Sequence, residues 1–218
     1  MATHLIFPQI VRYARSLQFV DAINARMNHP EALLVPASML IDYWLTVAGS
    51  RLADAAYSAH FKKPHYELNP IWQKAIARQK WFNGRHLALT TIAGCVCFLL
   101  GEMLPPRDPI AAWFFGCLLG TFGMIIGRHL SNLALFAYVR RHPEQIMGVV
   151  TMSHELVLWL SVFQLAPVIL TLLLISTVAP TPQTSGAIMG VCILSAIHLL
   201  WLRRHRRVNK TLPLNLQS

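Results

Sequence analysis

Asp42 and Thr46 are four residues apart inside an apolar run, so on a helix they share one face. A carboxylate at membrane depth is costly and should face a cavity, a partner or the bundle interior. Arg51 and Asp54, three apart, fall where an internal ion pair can form, and Glu67 follows in a polar turn. Arg128, His129 and Asn132 come late in another apolar run, and His154 and Glu155 divide a third. Acids, imidazoles and guanidinium groups in or beside apolar runs mark an ion or substrate path by default. Two other chemistries compete for the same side chains. One is a metal-assisted site of His and carboxylate ligands. The other is an internal hydrogen-bond network that only holds the fold. Spacing leaves the metal unassigned: His65 and Glu67, and His142 and Glu144, are each two apart, His154 and Glu155 diverge, and no His-Glu-x-x-His occurs. Ser131, Ser153 and Ser161 lack a nucleophile-elbow context. The residues leave the cofactor, like the metal, unassigned.

The elements that must position these groups are membrane helices. The 218 residues are 55% hydrophobic and only 13% charged, well below the roughly quarter charged of a soluble domain. Mean hydropathy is +0.45, and the formal charge of +10 gathers in short flanks. The four cysteines all sit in apolar runs, without zinc spacing or a disulfide pattern, and read as small buried hydrophobes. Leu5 to Val11 is too short for a cleavable signal, and Pro8 breaks it.

In chain order, residues 1–29 read as an amphipathic or interfacial segment. A transmembrane domain follows over 30–202. Its first run, Ala32 to Gly49, continues as a helix to about Phe61. Asn69 and Pro70 start a short interfacial helix. His86 to Leu104 spans, and Pro105, Pro106 and Pro109 make a tight turn. Ile110 to Val139 carries two Gly-x-x-x-Gly pairs, Gly116/Gly120 and Gly123/Gly127, suited to close helix contact. Residues 146–153 read as a short re-entrant or interfacial piece before a helix over 154–179 that Pro167 kinks. Ala187 to Leu202 is the last crossing. The tail 203–218 reads as a basic cytoplasmic extension whose Arg203, Arg204, Arg206, Arg207 and Lys210 bind anionic lipid, each worth about 1 kcal/mol at the surface. Basic flanks prefer the cytoplasm, which gives five crossings with the C-terminus inside, in a bacterial inner membrane; Arg12, Arg15 and Arg26 favour an alternative with the N-terminus inside and 32–61 re-entrant. Nucleic-acid binding has no support in fold or aromatic pattern.

The chain also looks internally duplicated. Sliding Trp44–Glu67 onto Phe122–Gln145 puts Gly49 on Gly127, Asp54 on Asn132 and Lys62-Lys63 on Arg140-Arg141 without a gap. The expected fold is therefore an all-α polytopic transmembrane bundle. Repeat 1 covers about 32–104, repeat 2 about 110–179, and an extra helix spans 187–202.

Asp42-x-x-x-Thr46 followed by Glu67-Leu68-Asn69-Pro70 resembles a family of small multi-pass membrane proteins of unknown function. Those proteins look to share an intramembrane Asp, a Thr one turn later and a Glu-x-Asn-Pro turn. The resemblance covers residues 38–73 and implies no mechanism. The second half departs from it, with Gly120 and Met124 in place of Asp42 and Thr46.

The expected function is a small transporter or channel for an ion or solute, lined by these polar groups and assembled as a homodimer in contact with membrane lipid. One alternative is a non-catalytic scaffold or accessory subunit that binds a partner membrane protein. Another is an enzyme acting on lipid at the cytoplasmic interface.

Overall fold

The computed structural model describes residues 27–62, 69 and 71–211, without the side chains of residue 56 and residues 208–211. The chain is an all-α bundle. Among the described residues, five helices are long and apolar enough to cross a membrane. The first is α1, Leu34–Leu52, led in by a 3-10 turn at Pro30–Leu33 and extended by a π-helical turn, Ala53–Tyr57, and a last turn, Ser58–His60. A short α2, Gln73–Ala77, precedes α3, Gly84–Met103. Then come α4, Pro109–Arg141, α5, His154–Val178, and α6, Pro182–Thr211.

Polar residues start these helices. Asn83 accepts from the Arg85 and His86 amides at the head of α3. Asp108 accepts from Ile110 and Ala111, with Pro109 in the first turn of α4 where its missing N–H costs nothing. Ser153 and Thr181 do the same for α5 and α6. The turn before α4 closes through Asp108 N to Pro105 O at 3.1 Å, with Arg107 at φ +65.

Helix directions follow from which residues meet. α3 runs antiparallel to α1: Gly101 lies against Ala32, Gly94 against Pro36, and His86 stacks on Tyr43. α4 runs parallel to α1. Ala32 clusters with Ala111 and Phe115, Thr46 meets His129, and Ala53 clusters with Phe136. α6 runs parallel to α4, and α5 antiparallel to α6, since Glu155 meets Arg206 while Leu165 clusters with Val191 and Leu194. The bundle thus has a proline end, with the turns at 104–108 and 179–181, and a basic end, with residues 61–62, 71–83 and 142–153 and the last turns of α6.

Three sequence expectations change here. The segment 146–153, expected as a short re-entrant or interfacial piece, is partly extended strand rather than helix. It follows a 3-10 turn and carries β2, Val150–Thr151, paired in parallel with β1, Phe61–Lys62. The pairing and the Met152 N to Lys62 O bond use backbone groups that a helix would otherwise have to satisfy. The last helix does not stop at Leu202 but runs to Thr211. Arg and Lys are good helix formers, and cations suit a helix C-terminus. The two helix pairs are also arranged differently. α1 packs directly on α3, whereas α4 and α5 touch at most marginally and both pack on α6. Residues 1–26, most of the expected amphipathic segment, lie outside the described residues.

His29, just ahead of α1, ties down the proline end. Its Nδ1 is 2.9 Å from Glu31 Oε1 and its Nε2 is 2.8 Å from the Pro105 carbonyl. Burial works against the imidazolium, but the Glu31 carboxylate, the Pro105 carbonyl and the nearby Asp108 outweigh it, so the His29 pKa is raised. A raised folded-state value stabilises fully below the ordinary 6.5 and is lost as pH rises through the folded value. Thermal stability should therefore fall as pH rises above about 6.5 and through the folded value. His29→Gln should flatten that slope in a melting series. An unchanged slope would remove His29 as its source.

Candidate functional site

Where α1, α3 and α4 meet, a polar cluster forms from residues distant in sequence. Asp42 Oδ1 lies 3.1 Å from His129 Nε2, and Thr46 Oγ1 lies 3.0 Å from the same nitrogen. The Thr46 hydroxyl donates to the Asp42 carbonyl at 2.8 Å. Its single proton is then committed, so His129 Nε2–H must be the donor to Thr46. That N–H is aimed at the hydroxyl, which leaves Asp42 Oδ1 at ion-pair distance without an aligned hydrogen bond. His129 Nδ1 is buried with no hydrogen-bond partner among the described residues. The side chains of His129 and Asp42 are 17% and 25% exposed, so the cluster is reached from outside but mostly enclosed. Chemically it is an imidazole with one committed proton, one open nitrogen and a carboxylate beside it.

His86 completes the neighbourhood. It is buried at the start of α3, stacked on Tyr43 with ring centres 4.5 Å apart and edge-on to Trp72. Its Nδ1 is 3.4 Å from Thr90 Oγ1, and Asp42 is close enough to act on it electrostatically. Neither His86 nor Tyr43 stood out in the sequence. The usable signal was His86 sitting three residues after Asn83, since that cap fixes its place in the first turn.

The other expected site residues go elsewhere. Arg51 and Asp54 do not form an ion pair with each other. Arg51 donates to the Gln79 carbonyl at 2.6 Å and lies over the Trp81 ring, and Asp54 accepts from the Gln79 amide. Together with Tyr43, which donates to the Lys80 carbonyl at 2.8 Å, they strap the segment between α2 and α3 onto α1. Gln79 is at φ +49 in that turn. Arg128 and Asn132 share a turn with His129 but line a cleft between α4, α5 and α6. Glu155 accepts from Arg206 Nε at 2.9 Å and Nη2 at 2.5 Å, and Arg206 also lies over Trp159. His154 meets the His205 ring. Arg206 is thus engaged inside the chain, while Arg203, Arg204 and Arg207 are exposed. Glu67 and the Lys210 side chain lie outside the described residues.

For a metal, three or more His, Cys, Asp or Glu side chains would have to converge, and no such group exists among the described residues. No protein-family model, no curated protein and no solved structure matches this chain.

Proposed function

We propose that the chain is a small membrane transport protein whose solute or ion movement is linked to a proton at the Asp42–His129 pair. The observation that carries this is the pair itself. Two ionisable side chains 3.1 Å apart sit between membrane-length helices, and His129 Nδ1 and Asp42 Oδ1 have no hydrogen-bond partner among the described residues. Intramembrane ionisable groups are costly, and their usual role is an ion or proton relay. A pair kept only for stability would have its acceptors satisfied. In this reading a proton enters at His129 Nδ1, and the one on Nε2 leaves to the Asp42 carboxylate, so one proton arrives for each that departs.

The positive-inside preference orients the protein in a bacterial inner membrane. The end bearing Arg140, Arg141, Arg203 and Arg204 faces the cytoplasm. In a cysteine-free background, Arg107→Cys should label from outside and Arg207→Cys from inside. Labelling of both from one side would end this orientation. A homodimer is part of the reading, because a second copy would cover the partly exposed pair.

Reconstitution into liposomes tests the function. Proton and solute flux above that of empty liposomes, lost in Asp42→Asn, supports transport. Flux no greater than in empty liposomes across a broad panel of ions and solutes, with stable co-purification of another membrane protein, would favour an accessory subunit.

A further inference from the structure

The bundle holds a second site, on the opposite side of α4 from Asp42. A cleft of about 620 Å³ opens between α4 and α5, with α6 forming its floor. That volume is in the range of ligand pockets, roughly 300–1,000 Å³. The cleft exists because α4 and α5 each pack on α6 rather than on each other. Gly123 and Gly127 form its α4 wall, and among the described residues no neighbouring group comes within 4 Å of where a Cβ would stand on either.

The polarity of the cleft is graded along the helices. Toward the proline end its lining is Leu172, Val168 and Val191. Toward the basic end it is Arg128, Ser131, Asn132 and Gln164. Arg128 is the one charged side chain among the described residues that line it. Arg128 also adjoins His129, which meets Thr46, while the neighbouring Tyr43 stacks on His86 in the first turn of α3. The cation therefore lies near the level at which α3 begins.

We propose that this cleft binds one anionic phospholipid that enters sideways from the bilayer. The phosphate sits on the Arg128 guanidinium, with the Ser131, Asn132 and Gln164 side chains as neutral donors. An acyl chain lies over Gly123 and Gly127 against Val168 and Leu172. The class follows from charge and shape. A guanidinium forks onto phosphate oxygens, no carboxylate in the lining opposes an anion, and the apolar half is continuous with the lipid side. This site is independent of the transport reading, since it uses none of Asp42, Thr46 or His129.

Native mass spectrometry of the purified full chain with added phosphatidylglycerol or phosphatidylcholine tests it. The wild type should retain phosphatidylglycerol about tenfold more tightly than phosphatidylcholine, a difference of about 1.4 kcal/mol. Arg128→Gln should abolish that preference, and Gly127→Phe should reduce retention of both lipids by filling the cleft. Arg203→Gln/Arg204→Gln/Arg207→Gln, which removes exposed tail charge, should leave the tight lipid in place. Inorganic phosphate alone should not displace it, because the acyl contact is missing. Equal retention of the two lipids, loss only in the tail variant, or displacement by phosphate would overturn the proposal. If Arg128→Gln fails to fold, Gly127→Phe decides, since its new side chain enters open space. Unchanged retention in that variant would equally overturn it. Failure of liposome flux would leave this result untouched, so the two readings fail separately.

Discussion

Gly186→Ala and Gly190→Ala should each destabilise the folded protein, while Gly123→Ala and Gly127→Ala should be neutral or stabilising. All four glycines are in helices, where alanine is favoured by about 1 kcal/mol on propensity alone. At Gly186 an added Cβ would overlap the Trp113 carbonyl oxygen, and at Gly190 the Cys117 carbonyl oxygen. From the other side, a Cβ on Gly120 would come within 2.6 Å of the Ala187 Cα, and one on Gly116 would overlap the Gln183 backbone. These obstacles are backbone atoms, so relief requires α4 and α6 to move apart along the most extensive helix contact in the bundle. Overpacking of this kind typically costs about 1–3 kcal/mol or more, which exceeds the propensity gain. Leucine at either position should leave little monodisperse protein. Melting temperatures of the four alanine variants in one detergent would check this. A loss at Gly127 as large as at Gly190 would contradict the close α4–α6 crossing.

The second large effect concerns Asp42 and His129 together. Asp42→Asn should cut proton-linked flux about tenfold or more, because the amide cannot take the proton that His129 releases. His129→Gln should do the same, since it removes the only group of the pair with a nitrogen to relay through. Thr46→Val should weaken flux less. It frees the His129 Nε2–H from its aligned acceptor but leaves the carboxylate 3.1 Å away. The double variant should be no worse than either single one, because the two residues act as a unit. Additive losses would mean that Asp42 and His129 serve separate steps.

The sequence by itself determined the fold class and the five membrane-length apolar helices. Runs of about 20 apolar residues, punctuated by proline turns and basic flanks, leave a chain few alternatives to membrane helices. It also determined that Asp42 and Thr46 share a face, because helical periodicity needs no tertiary partner. It did not determine which faces meet. Helices that are apolar all round do not signal, by pattern, which side packs on protein and which on lipid. So Gly116/Gly120 and Gly123/Gly127 are indistinguishable as motifs. Only the position of α6 makes the first pair a crossing and the second the wall of a cleft. The same holds for the polar groups. Arg51 and Asp54 had the spacing of an ion pair, yet the turn at Gln79 supplies both with partners. His129 finds Asp42 and Thr46 because α4 packs parallel to α1, a contact that no local spacing encodes. The end of α6 is likewise decided by tertiary structure. The basic residues from Arg203 mark an edge in polarity, but an edge in polarity is not an edge in helix. The Glu155–Arg206 bond and the Trp159 contact secure the extension at Arg206, once α5 lies alongside.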